Sequence, residues 1–368
     1  MPLGRKDWSG RLGVYYRAHP RGLSLAPAKD ATAAAMKGED VMTELTRRTI
    51  LRGTAAATAA ALSPFAGTAP ARAAAPPVGK QVPGFYRYKV GDFEITALND
   101  GAVKAANPAT IVVNQPFPEV QKALGAAFLP TDEIRNPFTA LLVNTGKNLV
   151  LIDAGFGDNG APTVGNLLSN MAAAGVDPKT VDTILVSHFH GDHISGIRAK
   201  AGTPNFPNAE IMVPSVEWKY WNDEGEESRA PQVWKGGFAN VKRVFGPIAK
   251  DVKQFEHGKE LVPGITAVDA SGHSPGHTAF VVASGNGKLL VTSDTANHAV
   301  LFVRNPEWSL WADMDAAKAI TARKRILDMA AADRMPIAAY HLPFPSTGYI
   351  AKQGSGYEFA PAYWQPSL

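Results

Sequence analysis

The sequence predicts a layered α/β fold, with two sheets packed face to face and helices outside. Three observations lead there. The runs "LVLI" (149–152) and "TILV" (183–186) are short and almost wholly apolar, as in strands that are buried in a core. Helical patterns are interleaved with such strands along the chain. An internal echo links "NTGKNLVLIDAG" (144–155) and "SGNGKLLVTSDTA" (284–296): each runs turn, Gly/Lys, apolar strand, Asp. Each half of the chain thus ends a core strand in a carboxylate.

The elements follow in order. Residues 1–41 read as a disordered extension or as the product of a start codon placed too early, because Met42 opens "MTELTRRTILRG". Residues 42–73 have the order of an export signal. Arg47, Arg48 and Arg52 precede the Ala-rich stretch 55–66, and Ala71-Arg72-Ala73 offers a small-residue cleavage site. The Arg47-Arg48 pair resembles a bacterial twin-arginine signal, which predicts a periplasmic or secreted protein. Residues 74–84 form a Pro-rich linker, and 85–368 the folded domain. Within it, "YRYKVGDFEITALNDG" reads as two strands about a Gly91-Asp92 turn. A loop-rich stretch, 102–136, holds a short helix near Glu119–Ala127. "TALLVNTGKNLVLIDAG" is a strand, a turn at Gly146 and a buried strand ending in Asp153. "APTVGNLLSNMAAAG" reads as a helix with Pro162 in its first turn and Gly175 past its end. "TILV" then runs into "SHFHGDH", residues 215–243 are helical, 312–333 is one long helix, and "PIAAYH" is a final short strand.

Composition narrows the function. The chain has no cysteine, which excludes disulfides, thiolate ligands and a thiol nucleophile. Residues 1–73 hold eleven Lys/Arg against five Asp/Glu, or +6; the whole chain is +4, so residues 74–368 carry −2. A nucleic-acid partner, which wants a basic face, gains no support. No apolar run is long enough to span a bilayer.

Chemistry concentrates in "SHFHGDH" (187–193), where three of the nine histidines crowd with an aspartate. Packed imidazoles and a carboxylate are costly unless a cation sits among them. On a strand His188 and His190 would point to one side and could share an ion. Past the turn at Gly191, Asp192 and His193 could serve a second. Two such ions, with a carboxylate between them, would acidify a shared water toward neutrality. Further histidines stand in "SGHSPGHT" (His273, His277) and "AAYHLPFP" (His341), and Asp294 ends the strand "KLLVTSD".

With "HFHGDH", "GHSPGHT", Asp294 and His341 in this order, residues ~85–350 resemble the metallo-β-lactamase superfamily. The resemblance implies a four-layer αββα fold and a dinuclear site. It implies His188, His190 and His273 on the first metal, and Asp192, His193 and His341 on the second, with Asp294 as the bridge. Asp192 and Asp294 are the candidate catalytic carboxylates, and His277 and Asp153 would orient ligands. Zinc is the first expectation, with iron, manganese or cobalt as alternatives. "PGFYRYKVGDFEITALNDG", "LLVNTGKNLVLIDAG", "LVPGITA" and "IAAYHLPFPSTGYI" are most similar to the methyl parathion hydrolase family, which hydrolyses phosphotriesters. A small neutral ester is the implied substrate, and a homodimer the implied assembly.

Departures shape the alternatives. Gly160 and Val233 stand where the parathion-hydrolysing family carries aromatic walls. The quorum-signal lactonases carry a tyrosine where this chain has Asn297, which counts against a dedicated lactonase. Trp221, Trp234, Phe156, Asn297 and His298 are the candidate pocket residues. A lactonase or aryl esterase of the same fold is the alternative reading. An iron-dependent oxidoreductase of the persulfide dioxygenase type is the second.

Overall fold

The computed structural model describes residues 77–105 and 108–368. The expected extension and export signal lie outside the described residues. Strands β1 (Phe85–Val90) to β7 (Lys253–Phe255) form the first seven-stranded sheet in chain order. Its other members are β2 (Phe93–Ala105), β3 (Ile134–Asn144), β4 (Leu149–Ile152), β5 (Thr183–Leu185) and β6 (Glu210–Pro214). β1 to β4 pair antiparallel and β4 to β7 parallel. The second sheet also has seven strands. It comprises β8 (Glu260–Val262), β9 (Ile265–Asp269), β10 (Thr278–Ser284), β11 (Gly287–Ser293), β12 (Ile337–Ala339), β13 (Thr347–Gln353) and β14 (Gly356–Pro361).

Alternation explains the layers. Val150 and Ile152 face the second sheet, while Leu151 faces the outer helices. Likewise Leu141 and Val143 look inward and Ala140 and Leu142 outward. In β11, Leu289 and Val291 meet the first sheet, and Leu290 meets the helix on the far side. These strands are buried on both faces, so they read as unbroken apolar runs. A one-residue slip in register would exchange the two sets. α1 (Phe117–Ala126) packs through Val120 and Leu124 on the segment 299–303, and the outer layer on the first sheet contains α2 (Leu167–Ala173), the single turn α3 (Gly191–Ile194), α4 (Ser215–Trp221), α5 (Glu224–Arg229) and α6 (Gln232–Phe245). The second sheet is covered by α7 (Ala316–Ala332), through Ile326, Leu327 and Ala330. The αββα expectation holds.

Four details differ from the sequence reading. The helix near 161–175 begins only at Leu167, because Gly165 takes φ +85° against the Gly157 carbonyl, a conformation that favours glycine. Pro162 therefore lies in a turn. The long helix starts at Ala316, where the Asp315 carboxylate caps Lys318 N–H at 3.0 Å. The strand after Pro336 is not the last, since the hairpin β13–β14 follows it. β5 stops at Leu185, so His188 and His190 stand in the loop beyond the strand.

Candidate metal centre and its cavity

The seven predicted donors meet where loops leave the two sheets. The loop after β5 brings His188, His190, Asp192 and His193, and the turn α3 presents the last two. The loop after β9 brings His273, the end of β11 brings Asp294, and the end of β12 brings His341. Donor atoms of His188, His190 and His273 lie within 4.8 Å of one another, as do those of Asp192, His193, Asp294 and His341. Asp294 stands between the groups. Its Oδ2 is 3.2 Å from His273 Nε2, 3.0 Å from His341 Nε2 and 3.9 Å from His188 Nε2, and its Oδ1 is 3.1 Å from His193 Nε2.

These atoms suit a cation. The Nε2 atoms of His188, His190, His193 and His273 and Oδ1 of Asp294 are buried, and none has a hydrogen-bond partner among the described residues. The close approach of His193 to Asp294 lacks hydrogen-bond geometry. Burial without a partner is costly for polar groups, and two divalent ions, one in each donor group, would satisfy all five. Burial also pushes His188 and His190 well below the ordinary imidazole range, helped by neighbouring imidazoles. They are then neutral, with a lone pair to give. Burial pushes Asp294 up, but His341 and His193 outweigh it and hold the carboxylate well below its usual range.

The far side of four donor rings is fixed. His193 Nδ1 contacts Asp153 Oδ2 at 2.8 Å, His273 Nδ1 contacts Asp313 Oδ1 at 2.9 Å, and His341 Nδ1 contacts the Pro137 carbonyl at 2.9 Å. His188 Nδ1 meets Ser187 Oγ at 3.0 Å, and that hydroxyl donates to Asp153. His277 uses Nδ1 on the Ala270 carbonyl and accepts Asp294 N–H on Nε2, so it sets the backbone of Asp294. Such partners hold the tautomer that turns Nε2 inward. Asp153 (φ 63°) and Ser293 (φ 46°) both take left-handed backbone at the ends of core strands beside the site.

Glu217 braces the cluster from below. It is fully buried and accepts from Phe189 N, Trp221 Nε1, Ser274 Oγ and Gly276 N, so it ties the His188–His190 loop to the His273–His277 loop. Asp100, also buried, accepts from Phe156 N and Leu167 N at 2.8 Å each.

The donors floor a cavity of about 800 Å³. Apolar walls come from Phe138, Phe156, Phe302, Ile111, Leu310, Trp234 and Trp311. Trp234 stacks on His190 (5.0 Å, 6°) and Trp311 on Trp234 (6.1 Å, 9°), making a ladder of rings from the floor to the rim. The lining also includes Phe189, Trp221 and His298; the other lining side chains are amides, hydroxyls and smaller apolar groups, with no Lys, Arg or Glu among the described residues.

A model of the metallo-beta-lactamase superfamily matches residues 137–341, more than half of the chain and every one of the seven donors. The chain belongs to that superfamily. It is a metal-dependent hydrolase of the superfamily. One similar solved structure is that of AidC, a dizinc quorum-quenching lactonase in complex with a product, N-hexanoyl-L-homoserine. It is 27% identical, covers 77% of this chain and 98% of its own, and gives a TM-score of 0.73. Another is hydrolase AbOPH, described as in the beta lactamase superfamily, at 30% identity, 78% and 100% coverage, and a TM-score of 0.74. Among curated proteins, an N-acyl homoserine lactonase from Bacillus thuringiensis subsp. kurstaki is 24% identical over 197 residues, 47% of this chain and 70% of its own length.

Within this superfamily scaffold the sequence-predicted pocket residues divide. Trp234, Phe156, Asn297 and His298 line the cavity. Trp221 borders it but is fully buried, hydrogen-bonded to Glu217 and packed on Phe238 at 4.7 Å, so it is mainly core. Gly160 does not line the cavity. A Cβ there would meet Val164 Cγ2 at 2.3 Å and Phe156 at 3.0 Å, so an aromatic at 160 would require both side chains to shift. Val233 does border the cavity, 62% exposed at its mouth. Asp313, Glu217, Asp100, Phe138 and Trp311 were not predicted. Each acts through contacts far apart in the chain, and Asp313 stood inside the expected helix.

Proposed function

We propose that the chain hydrolyses neutral lactones that carry an apolar arm, N-acyl homoserine lactones being the model substrates. The observation that carries this is the cavity above the donor cluster, whose walls are mainly apolar and carry no Lys, Arg or Glu among the described residues. Such a cavity suits a ligand with no net charge, a few polar atoms near the floor and a hydrocarbon arm toward the rim. The lactonases among the similar proteins support the same order. The missing tyrosine counts less than expected, because Asn297 is engaged in its place: its Nδ2 donates to Asp294 Oδ2 at 3.1 Å.

In this reading His188, His190 and His273 would hold one divalent ion, and Asp192, His193 and His341 would hold a second, with Asp294 standing between the groups. Zinc fits the imidazole and carboxylate donors. When bound, the ions supply Lewis acidity and bring the pKa of a water toward neutrality. The side chains do the remainder. Asp192 faces the cavity, with Oδ2 3.3 Å from His193 Nε2 and 3.5 Å from His341 Nε2. Its carboxylate can take a proton from the attacking water and return it to the leaving oxygen. Trp234 over His190, and Phe138 edge-on to His341 at 5.2 Å, keep bulk water off the imidazoles.

A phosphotriester or aryl ester is the second reading. The ring ladder of Trp234 and Trp311, with Phe138 against Phe156 at 4.9 Å, favours it, since these rings can face an aromatic leaving group. The test is elemental analysis of protein from metal-supplied cells, then kcat/KM on acyl homoserine lactones, paraoxon-type triesters and aryl esters. Two ions per chain are expected, with lactones at least about tenfold ahead, a gap of ~1.4 kcal/mol. Triesters ahead of every lactone would sink the lactonase reading and leave the hydrolase. One ion or none would sink the dinuclear site.

A further inference from the structure

His273 is held by a charge pair that no motif reveals. Its Nδ1 is 2.9 Å from Asp313 Oδ1, and Asp313 Oδ2 accepts from Arg323 Nη2 at 3.1 Å and from Leu310 N at 3.2 Å. Arg323 is 1% exposed, although it projects from a helix whose other face is solvated. Its remaining donors go to carbonyls, Nε to Thr295 at 3.0 Å and Nη1 to Pro306 at 3.0 Å and Trp308 at 2.6 Å. Its guanidinium also lies over the Phe302 ring at 5.1 Å. One buried cation thus grips the residue after Asp294 and the carboxylate behind His273. The same segment is fastened by backbone as well: Met314 N–H donates to the His273 carbonyl and Asp315 N–H to that of Gly272.

We propose that Arg323 and Asp313 are positioning residues for the three-histidine metal position. A carboxylate paired with a buried guanidinium accepts hydrogen bonds and gives none. His273 must then carry its proton on Nδ1, which leaves the Nε2 lone pair turned to the cluster. Arg323 also cancels the charge of Asp313, so the ring is oriented without adding net negative charge to the site. Asp153 behind His193 has no such cation among the described residues; its carboxylate partners there are Ser187 and the ring itself. The two metal positions are therefore built differently. Arg323 further fixes the spacing of His273 and Asp294 by holding the chain next to each.

The inference rests on the dinuclear reading, and the experiment separates the two. The full chain is purified from zinc-supplied cells as wild type, Asp313→Asn and Asp313→Ala. Chelator competition then gives a dissociation constant for each ion. Either substitution should weaken one ion by about ten- to a hundredfold and the other far less. A purely structural role would lower the urea midpoint of metal-stripped protein and leave both zinc constants alone. Folded Asp313→Asn with both constants unchanged, or both shifted alike, overturns the proposal. If neither variant folds, the long-range proton–nitrogen NMR spectrum of wild type decides: His273 should carry its proton on Nδ1, and a bare Nδ1 overturns the proposal. Wild type that binds no zinc overturns the dinuclear reading and this inference with it. Two bound ions with unmoved constants overturn this inference alone.

Discussion

Glu217 is a fully buried carboxylate with four donors, two on each oxygen. Burial pushes its pKa up, and the donors pull it back. Glu217→Gln keeps the shape but turns an amide NH2 toward donors. It should cost about 1–3 kcal/mol, the range for leaving buried polar groups unpaired, read as a lower urea midpoint. An unchanged midpoint would show that the loops do not lean on it. Asp100 carries the clearest pH signature outside the cluster. Burial raises its pKa from 3.8 to about 6, against backbone N–H bonds from Phe156, Leu167 and Gly165 that lower it. The folded state thus holds the proton more tightly than the unfolded chain. The resulting stability is fully present below about pH 3.8 and is lost as pH rises through about 6. The loss approaches ~3 kcal/mol. Asp100→Asn cannot ionise, so the stability gap between wild type and variant should change between about pH 4 and 6 and be flat above it. Parallel urea midpoints across that range would refute the assignment.

At the scale of elements, the cavity mouth is made by two segments that pair. Trp311 N–H donates to the Ile111 carbonyl, and Val112 bridges Leu310. The segment 310–315 carries Trp311 into the cavity wall and Asp313 to His273. Trp311 is 46% exposed, so Trp311→Ala should fold normally. Its lost ring contact, ~0.5–1.5 kcal/mol, predicts a rise in KM of roughly two- to tenfold for long-armed lactones. Because Trp311 touches no donor, kcat should hold; a fall in kcat at constant KM would contradict a wall role. The donor set was legible in sequence because four donors crowd into 188–193 and the others stand in short His motifs or at a strand end, at 273, 294 and 341. β4 and β5 were legible for a similar reason, since burial on both faces leaves an unbroken apolar run. Asp313, Glu217 and Arg323 were not legible. They are common residue types on polar or helical stretches, and the contacts that tie them to the site span 10 to 59 positions. The 310–315 loop was hidden because Asp315 and the alanines after it continue a helical pattern that only the cap interrupts. His188 and His190 were placed correctly but for the wrong reason, since a loop and not a strand brings them together.

At the scale of the molecule, charge and export meet. The basic excess sits in residues 1–73, while residues 74–368 are slightly acidic, so the positive balance belongs to the amino-terminal segment. We infer that this segment directs twin-arginine export, which carries folded proteins. Arg47→Lys with Arg48→Lys should keep the enzyme in the cytoplasm, checked by fractionating cells and assaying each compartment. Unchanged periplasmic activity would exclude that route.

The division of donors between the sheets has a further consequence. His188, His190, Asp192 and His193 follow the first sheet, and His273, Asp294 and His341 follow the second. A chain in which only one half has formed can offer four donors at most, and neither half alone supplies a complete set for either ion. Ion capture is therefore a rivet driven through both plates: it can close only after they have been laid together in register, and once closed it resists their parting.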